Sequence, residues 1–167
     1  MKRYWDTIET PFGLFAAWVD DEDRLLRFAF RSAGAERVDP EAERNAAALD
    51  EVRRQVADYS QGKRQTFDFV LNAEGPEFDK RVWRALSDIP FGHTTSYGAV
   101  AKTIGQPEAA RAVGAANGAN PIALIVPCHR VIGSDGSLTG FGGGLPLKRL
   151  LLEHEARVCG TRYDLFG

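Results

Sequence analysis

The stretch "NPIALIVPCHRVIG", residues 120–133, decides how the second half of this chain is read. IALIV is a continuous apolar run, which predicts a buried strand or extended segment, and Pro127 ends its pairing where Cys128 begins. A cysteine is a nucleophile only as the thiolate, a form favoured by a nearby histidine, cation or helix N-terminus. His129 and Arg130 follow at once. Successive side chains of an extended chain point to opposite sides, so Cys128 and His129 would communicate through a water or a local twist. The imidazole would need a carboxylate to orient it, and the amphipathic stretch "LKRLLLEHEARV" downstream offers Glu153 and Glu155. Taken alone, a Cys-His pair is more often an inert buried cysteine beside a core histidine. Cys159, next to Gly160, reads as structural or neutral.

Upstream, "TSYGAVAKTIGQPEAARAVGAANGAN" predicts two short helices, Ser96–Ile104 and Pro107–Asn117, joined by a Gly-Gln turn in the manner of a helix-turn-helix. The second is nearly all Ala and Gly, with Arg111 as its outward charge. It has almost nothing with which to read base edges in a major groove, but it can press its backbone close to a surface while one cation reaches into a narrow groove. The bland alternative is a close-packed core helix. Before this pair, "PEFDKRVWRALSDI" places Phe78, Val82, Leu86 and Ile89 on one helical face that ends before Pro90.

The first half predicts three short antiparallel strands in "YWDTIETPFGLFAAWVDDEDRLLRFAF" and a helix over Pro40–Ser60 with Leu49, Val52, Val56 and Tyr59 inward. A further strand follows in "QTFDFVL", and "NAEGPE" reads as a linker. The 167 residues, 44% hydrophobic and 26% charged, suit two small domains, 1–75 and 76–167. The net charge of −2 does not announce a nucleic-acid partner, but residues 1–75 carry 11 Lys and Arg against 15 Asp and Glu, whereas residues 76–167 carry 10 against 8. An anionic polymer would therefore meet the second half. No apolar run approaches the roughly 20 residues of a membrane span. The N-terminus reads as neither a signal peptide nor a presequence, so a cytoplasmic protein with free thiols is expected. Two cysteines and three histidines match no spaced metal signature, and neither metal nor cofactor is expected.

"PCHRVIG", preceded by "RAVGAANGANP" and "FDKRVWRALSDIPFGHTTSYGAVA" and followed by "GSLTGFGGGLPLKRLLLEHE", resembles the methylated-DNA–protein-cysteine S-methyltransferases, also called O6-alkylguanine-DNA alkyltransferases. The resemblance is close over 76–157 and looser before it. It implies an α+β protein: a small ribonuclease-H-like α/β N-terminal domain, then a mostly helical domain with a helix-turn-helix. It implies irreversible, single-use transfer of an alkyl group from O6 of guanine, or O4 of thymine, in double-stranded DNA to Cys128 by a monomer. His129 would act through a water, oriented by Glu155. Tyr97 would help to rotate the nucleotide out and protonate the departing guanine, and Asn120 would tie the recognition helix to the active-site loop. Arg111 would fill the gap in the stack, with DNA contacts also from Ser96, Ala112, Gly114 and Ala115. The flipped base would be held by Pro127, Val131, Phe141 and Gly142. Many members carry a serine where this chain has Gly142, which implies a roomier pocket. Trp83, Phe91 and Arg130 are assigned to structural support. Two other readings stay open at this point: a lesion-binding relative that transfers nothing, and a Cys-His hydrolase that turns over.

Overall fold

The alternating pattern at the start of the chain folds as β1 (Arg3–Thr10), β2 (Gly13–Asp20) and β3 (Leu25–Phe30), each antiparallel to the next. The first turn requires glycine: Gly13 has φ 126°, and a Cβ there would stand 2.5 Å from the Phe30 ring. The computed structural model describes residues 1–30, 34–137 and 144–161, and the chain divides into two units, Met1–Glu74 and Gly75–Gly167.

In the first unit a short strand, β4 (Glu43–Arg44), runs parallel to β1, giving the order β3-β2-β1-β4. The helix expected from Pro40 therefore begins later, as α1 (Asp50–Ser60) after a 3-10 turn at Ala47–Leu49. Tertiary contacts override helical spacing here: Arg44 pairs with Asp6 at 3.0 Å and lies 4.8 Å over the Trp5 ring, which draws 43–44 onto the sheet. The inward face of α1 is the one its periodicity indicates, with Val52, Val56 and Tyr59 buried and Leu49 buried just before it. Stacked rings, Phe15 on Phe28 at 4.7 Å and Trp5 on Trp18 at 6.1 Å, anchor the sheet. The "QTFDFVL" segment is not a full strand. It pairs at one point, Leu71 with Leu25, where the Leu25 amide donates to the Val70 carbonyl at 2.8 Å.

The second unit starts with α2 (Glu77–Ser87), whose buried Val82, Trp83 and Leu86 fix its inner face. Then come β5 (Thr95–Ser96), α3 (Tyr97–Thr103), α4 (Ala110–Gly118), β6 (Val131–Ile132) and α5 (Leu145–Val158). Ser96 caps α3, its hydroxyl accepting from the Ala99 amide at 3.1 Å. α4 starts at Ala110 rather than at Pro107, because the chain first closes a turn in which the Ala109 amide donates to the Gln106 carbonyl. The Trp83 indole N–H donates to the Ala116 carbonyl at 2.9 Å and so ties α2 to α4.

IALIV is buried but not extended. The Val126 amide donates to the Ile122 carbonyl at 3.0 Å, and Leu124 takes φ 70° in the left-handed region, so the run coils into a turn that buries Ile122, Leu124 and Val126. No helix among the described residues is long and apolar enough to cross a membrane.

Candidate active site

Cys128 opens a 3-10 turn, Cys128–Arg130, that leads directly into β6. The alternating-side argument from an extended chain thus does not apply, because a 3-10 turn rotates successive side chains by about a third of a turn. β6 pairs in parallel with β5, Thr95 opposite Val131 and Ser96 opposite Ile132. That pairing fixes the start of α3, and hence Tyr97, against the chain just past the cysteine. On the other side the Asn120 amide holds the preceding turn, its Nδ2 donating to the Val126 carbonyl at 2.9 Å and its Oδ1 accepting from the Ile122 amide at 3.0 Å.

All three residues of the turn are buried. His129 is 0% exposed, and its Nε2 lies 2.6 Å from Glu155 Oε2 on α5. The acid that meets the imidazole is Glu155; Glu153 is half-buried on the same helix. Glu155 also accepts from Arg130 Nε at 2.8 Å and Nη2 at 3.0 Å, and from the Gly92 amide at 3.1 Å. Burial pushes this carboxyl upward, but His129 and Arg130 together bring it well below the usual carboxylate range. Burial pushes His129 down despite the attraction of Glu155, so the resting imidazole is neutral. A neutral ring facing a carboxylate carries its proton on Nε2. The lone pair is then on Nδ1, which is buried and has no hydrogen-bond partner among the described residues. Arg130 does more than support: it completes the charge on Glu155, donates to the Ile89 carbonyl at 2.7 Å and lies over the Phe91 ring.

Burial pushes the Cys128 thiol up, countered by a hydrogen bond from the Asn120 side chain and by the charge of Lys148. Lys148 and Asn117 border the candidate site and were missed by the motif reading. Lys148 is 0% exposed on α5 and donates to the Val131 carbonyl at 2.6 Å. Helical spacing carries the signal, since positions 148, 151, 152 and 155 form one i, i+3, i+4, i+7 stripe that is buried throughout. Asn117, buried on α4, donates from Nδ2 to the Cys128 carbonyl at 3.4 Å, and its Oδ1 has no partner among the described residues.

The outward face of α4 carries Arg111, Ala112 and Ala115, all exposed, and Gly114 is half-buried with the Tyr97 ring 3.8 Å from where a Cβ would stand. Tyr97 is half-buried, as is Ser96, while Pro127 and Val131 are buried next to the turn. Phe141 and Gly142 lie outside the described residues.

The model of the family described as 6-O-methylguanine DNA methyltransferase, DNA binding domain, matches residues 77–157. A methylated-DNA–protein-cysteine methyltransferase of Methanosarcina barkeri is 46% identical over 91% of this chain and 96% of that protein. One from Mycobacterium tuberculosis is 58% identical over 67% of this chain and 68% of its own. A crystal structure of Mycobacterium tuberculosis OGT in complex with DNA superposes with a TM-score of 0.86 at 42% identity, covering 93% of this chain and 94% of that one.

Proposed function

The chain belongs to the methylated-DNA–protein-cysteine methyltransferases, and from that premise we propose that Cys128 is the residue that accepts the alkyl group. The protein is a direct-reversal DNA repair enzyme of the single-use kind. The observation that carries the assignment is the pairing of a buried thiol with an adjacent imidazole whose Nε2–H is locked on Glu155 and whose Nδ1 lone pair is unengaged. His129 takes the thiol proton through a water at Nδ1, and Glu155 with Arg130 stabilises the resulting imidazolium. The thiolate attacks the alkyl carbon, an S–C bond forms, the C–O6 bond breaks, and its electron pair stays with guanine. Guanine is protonated from Tyr97, and the proton held by His129 restores the phenol through solvent. The thioether is permanent because no group in the turn reverses the step.

The substrates are O6-alkylguanine and O4-alkylthymine in duplex DNA. Residues 76–167 bind and react, with α3 and α4 serving as the two helices of a helix-turn-helix and residues 1–75 forming a ribonuclease-H-like domain. The small, exposed side chains at 112 and 115 support close approach of α4 to a narrow groove, with Arg111 entering the stack as the base leaves it. The protein acts as a monomer in a reducing cytoplasm, consistent with Cys128 and Cys159 both being free thiols. The test is intact mass after mixing with a duplex containing O6-methylguanine. A gain of one methylene confined to the Cys128 peptide is expected; repeated product release, or mass gained elsewhere, rules the assignment out.

A further inference from the structure

We propose that the turn over residues 89–92 is a positioning element of the reactive centre, in which the Gly92 amide sets the Glu155 carboxylate so that its other oxygen faces His129. The inference rests on the reading of His129 as the group that takes the Cys128 proton.

The turn meets a buried pair of opposite charges with groups of matching sign. The Ile89 carbonyl accepts from Arg130 Nη1 at 2.7 Å, and the centre of the Phe91 ring lies 5.6 Å from the guanidinium carbon. At the other end of the turn the sign reverses, and the Gly92 amide donates to Glu155 Oε1 at 3.1 Å. Arg130 Nε donates to the same oxygen at 2.8 Å, while Oε2 lies 2.6 Å from His129 Nε2. A carboxylate is planar, so its two oxygens turn together. Fixing Oε1 therefore aims Oε2, and Oε2 is the atom that keeps the imidazole proton on Nε2 and the lone pair on Nδ1.

The direction of the Gly92 N–H depends on one backbone conformation. The His93 amide closes the turn on the Pro90 carbonyl at 3.1 Å, which makes Gly92 its third residue, and there φ is 81°. That is the type II form. The type I form, which residues with side chains favour at this place, differs by a flip of the central peptide through about half a turn. The flip would take the Gly92 N–H off Oε1 and swing the Phe91 carbonyl toward the carboxylate, replacing a donor with a repelling oxygen. Glycine keeps the turn in the form that the carboxylate needs, because it has no Cβ to resist a positive φ. Its surroundings add to the requirement: a Cβ at 92 would stand 2.5 Å from Cys159 Sγ. α5 thus carries Glu155 and, one turn further on, closes the space beside the residue that positions it. The Pro-Phe-Gly stretch after α2 does more than end a helix.

The experiment uses the full-length protein with nitrogen-15 in the histidine rings. Cys159→Ala, which takes away the sulfur, is the reference. Gly92→Ala in that background has room for its methyl group, so only the backbone preference is tested. In it the Nδ1–H form of His129 is expected to become populated in the NMR spectrum, and transfer from an O6-methylguanine duplex to fall about tenfold, a part of what a positioned general base supplies. With His129→Ala also present, the Gly92→Ala change is expected to alter transfer by less than about twofold, because no imidazole is left to position. A His129 ring that keeps its proton on Nε2 in the Gly92→Ala protein overturns the proposal. So does an equal loss of transfer with and without His129, the pattern of a merely structural turn. Should Gly92→Ala not fold, glycolate in place of Gly92, introduced by chemical ligation, puts an ester oxygen where the amide N–H was and adds no side chain, and the same two outcomes decide. If the parent gains no mass from the duplex, the acceptor assignment fails on its own, while the ring spectra still decide what positions Glu155.

Discussion

Replacing Glu155 with glutamine removes one negative charge and almost no volume from a buried group that joins His129, Arg130 and the Gly92 amide. Among the described residues hydrogen bonds reach this carboxylate from His129 at 2.6 Å, from Arg130 at 2.8 and 3.0 Å, and from the Gly92 amide at 3.1 Å. The carboxylate is 1% exposed, so solvent cannot replace it, and Arg130 is left as a buried guanidinium without a counter-ion. Breaking a buried pair by removing one partner costs about 3–5 kcal/mol, which for a chain of this size is roughly 6–20 °C in Tm. The sign with pH follows from the depressed carboxyl. Its contribution is complete above the unfolded-state value of about 4.3 and is lost as pH falls from there toward the lower folded value. The stability gap between parent and Glu155→Gln, measured by urea unfolding, should therefore be full at pH 7 and narrow progressively below about pH 4. Adding Arg130→Met should return part of the loss by removing the stranded charge, since an unpaired buried ion costs more than an apolar replacement of the pair. A Glu155→Gln protein within about 1 kcal/mol of the parent at pH 7 would refute the reasoning, as would a gap that widens in acid.

Cys128→Ser should abolish transfer while leaving duplex binding intact, checked by gel shift beside intact mass, because a hydroxyl is a far weaker nucleophile than a thiolate near neutral pH. Arg111→Ala should slow transfer on duplex DNA much more than on free O6-methylguanine, where nothing has to be flipped; equal losses on the two substrates would remove Arg111 from the flipping step. Trp83→Phe should destabilise by about 0.5–1.5 kcal/mol, the net worth of the indole hydrogen bond, because the Ala116 carbonyl still accepts from the Ala119 amide; thermal unfolding checks it. Single-turnover rates against pH should show His129→Ala slower with its profile displaced upward, since the imidazole is the group that takes the thiol proton.

Part of the candidate site was legible because its chemistry is local. Cys128 and His129 are neighbours, but on spacing Glu153 and Glu155 both stay open, and it is the family resemblance that points to Glu155, which lies on the inner face of α5. The three strands, α2 and the inner face of α1 follow from spacing. What escaped was decided by distant partners. Residues 43–44 join the sheet because of Asp6 and Trp5, both far off in sequence. IALIV has the composition of a strand, but the Asn120 side chain coils it by capturing the Ile122 amide and the Val126 carbonyl. Lys148 was passed over because lysine is ordinarily a surface residue, and only its place in the stripe with Leu151, Leu152 and Glu155 betrays that it is inside. Asn117 sits in an alanine-rich helix where a polar residue reads as solvent-facing.

The two-residue pairing of β5 with β6 has a consequence for engineering. It ties the start of α3 to the end of the Cys128 turn directly, so the distance between Tyr97 and Cys128 does not depend on the length of chain that joins them. α4 is held separately, by Trp83 on the Ala116 carbonyl and by Asn117 on the Cys128 carbonyl. The connection between α3 and α4 takes part in neither tie: it is closed by its own backbone hydrogen bonds and by Arg81 on the Ile104 carbonyl, while Gly105 within it is exposed with open space around it. Residues could be spliced in there, or a different recognition segment grafted, while the reactive centre keeps its dimensions: the molecule already separates the reagent from the part that could be exchanged to redirect it.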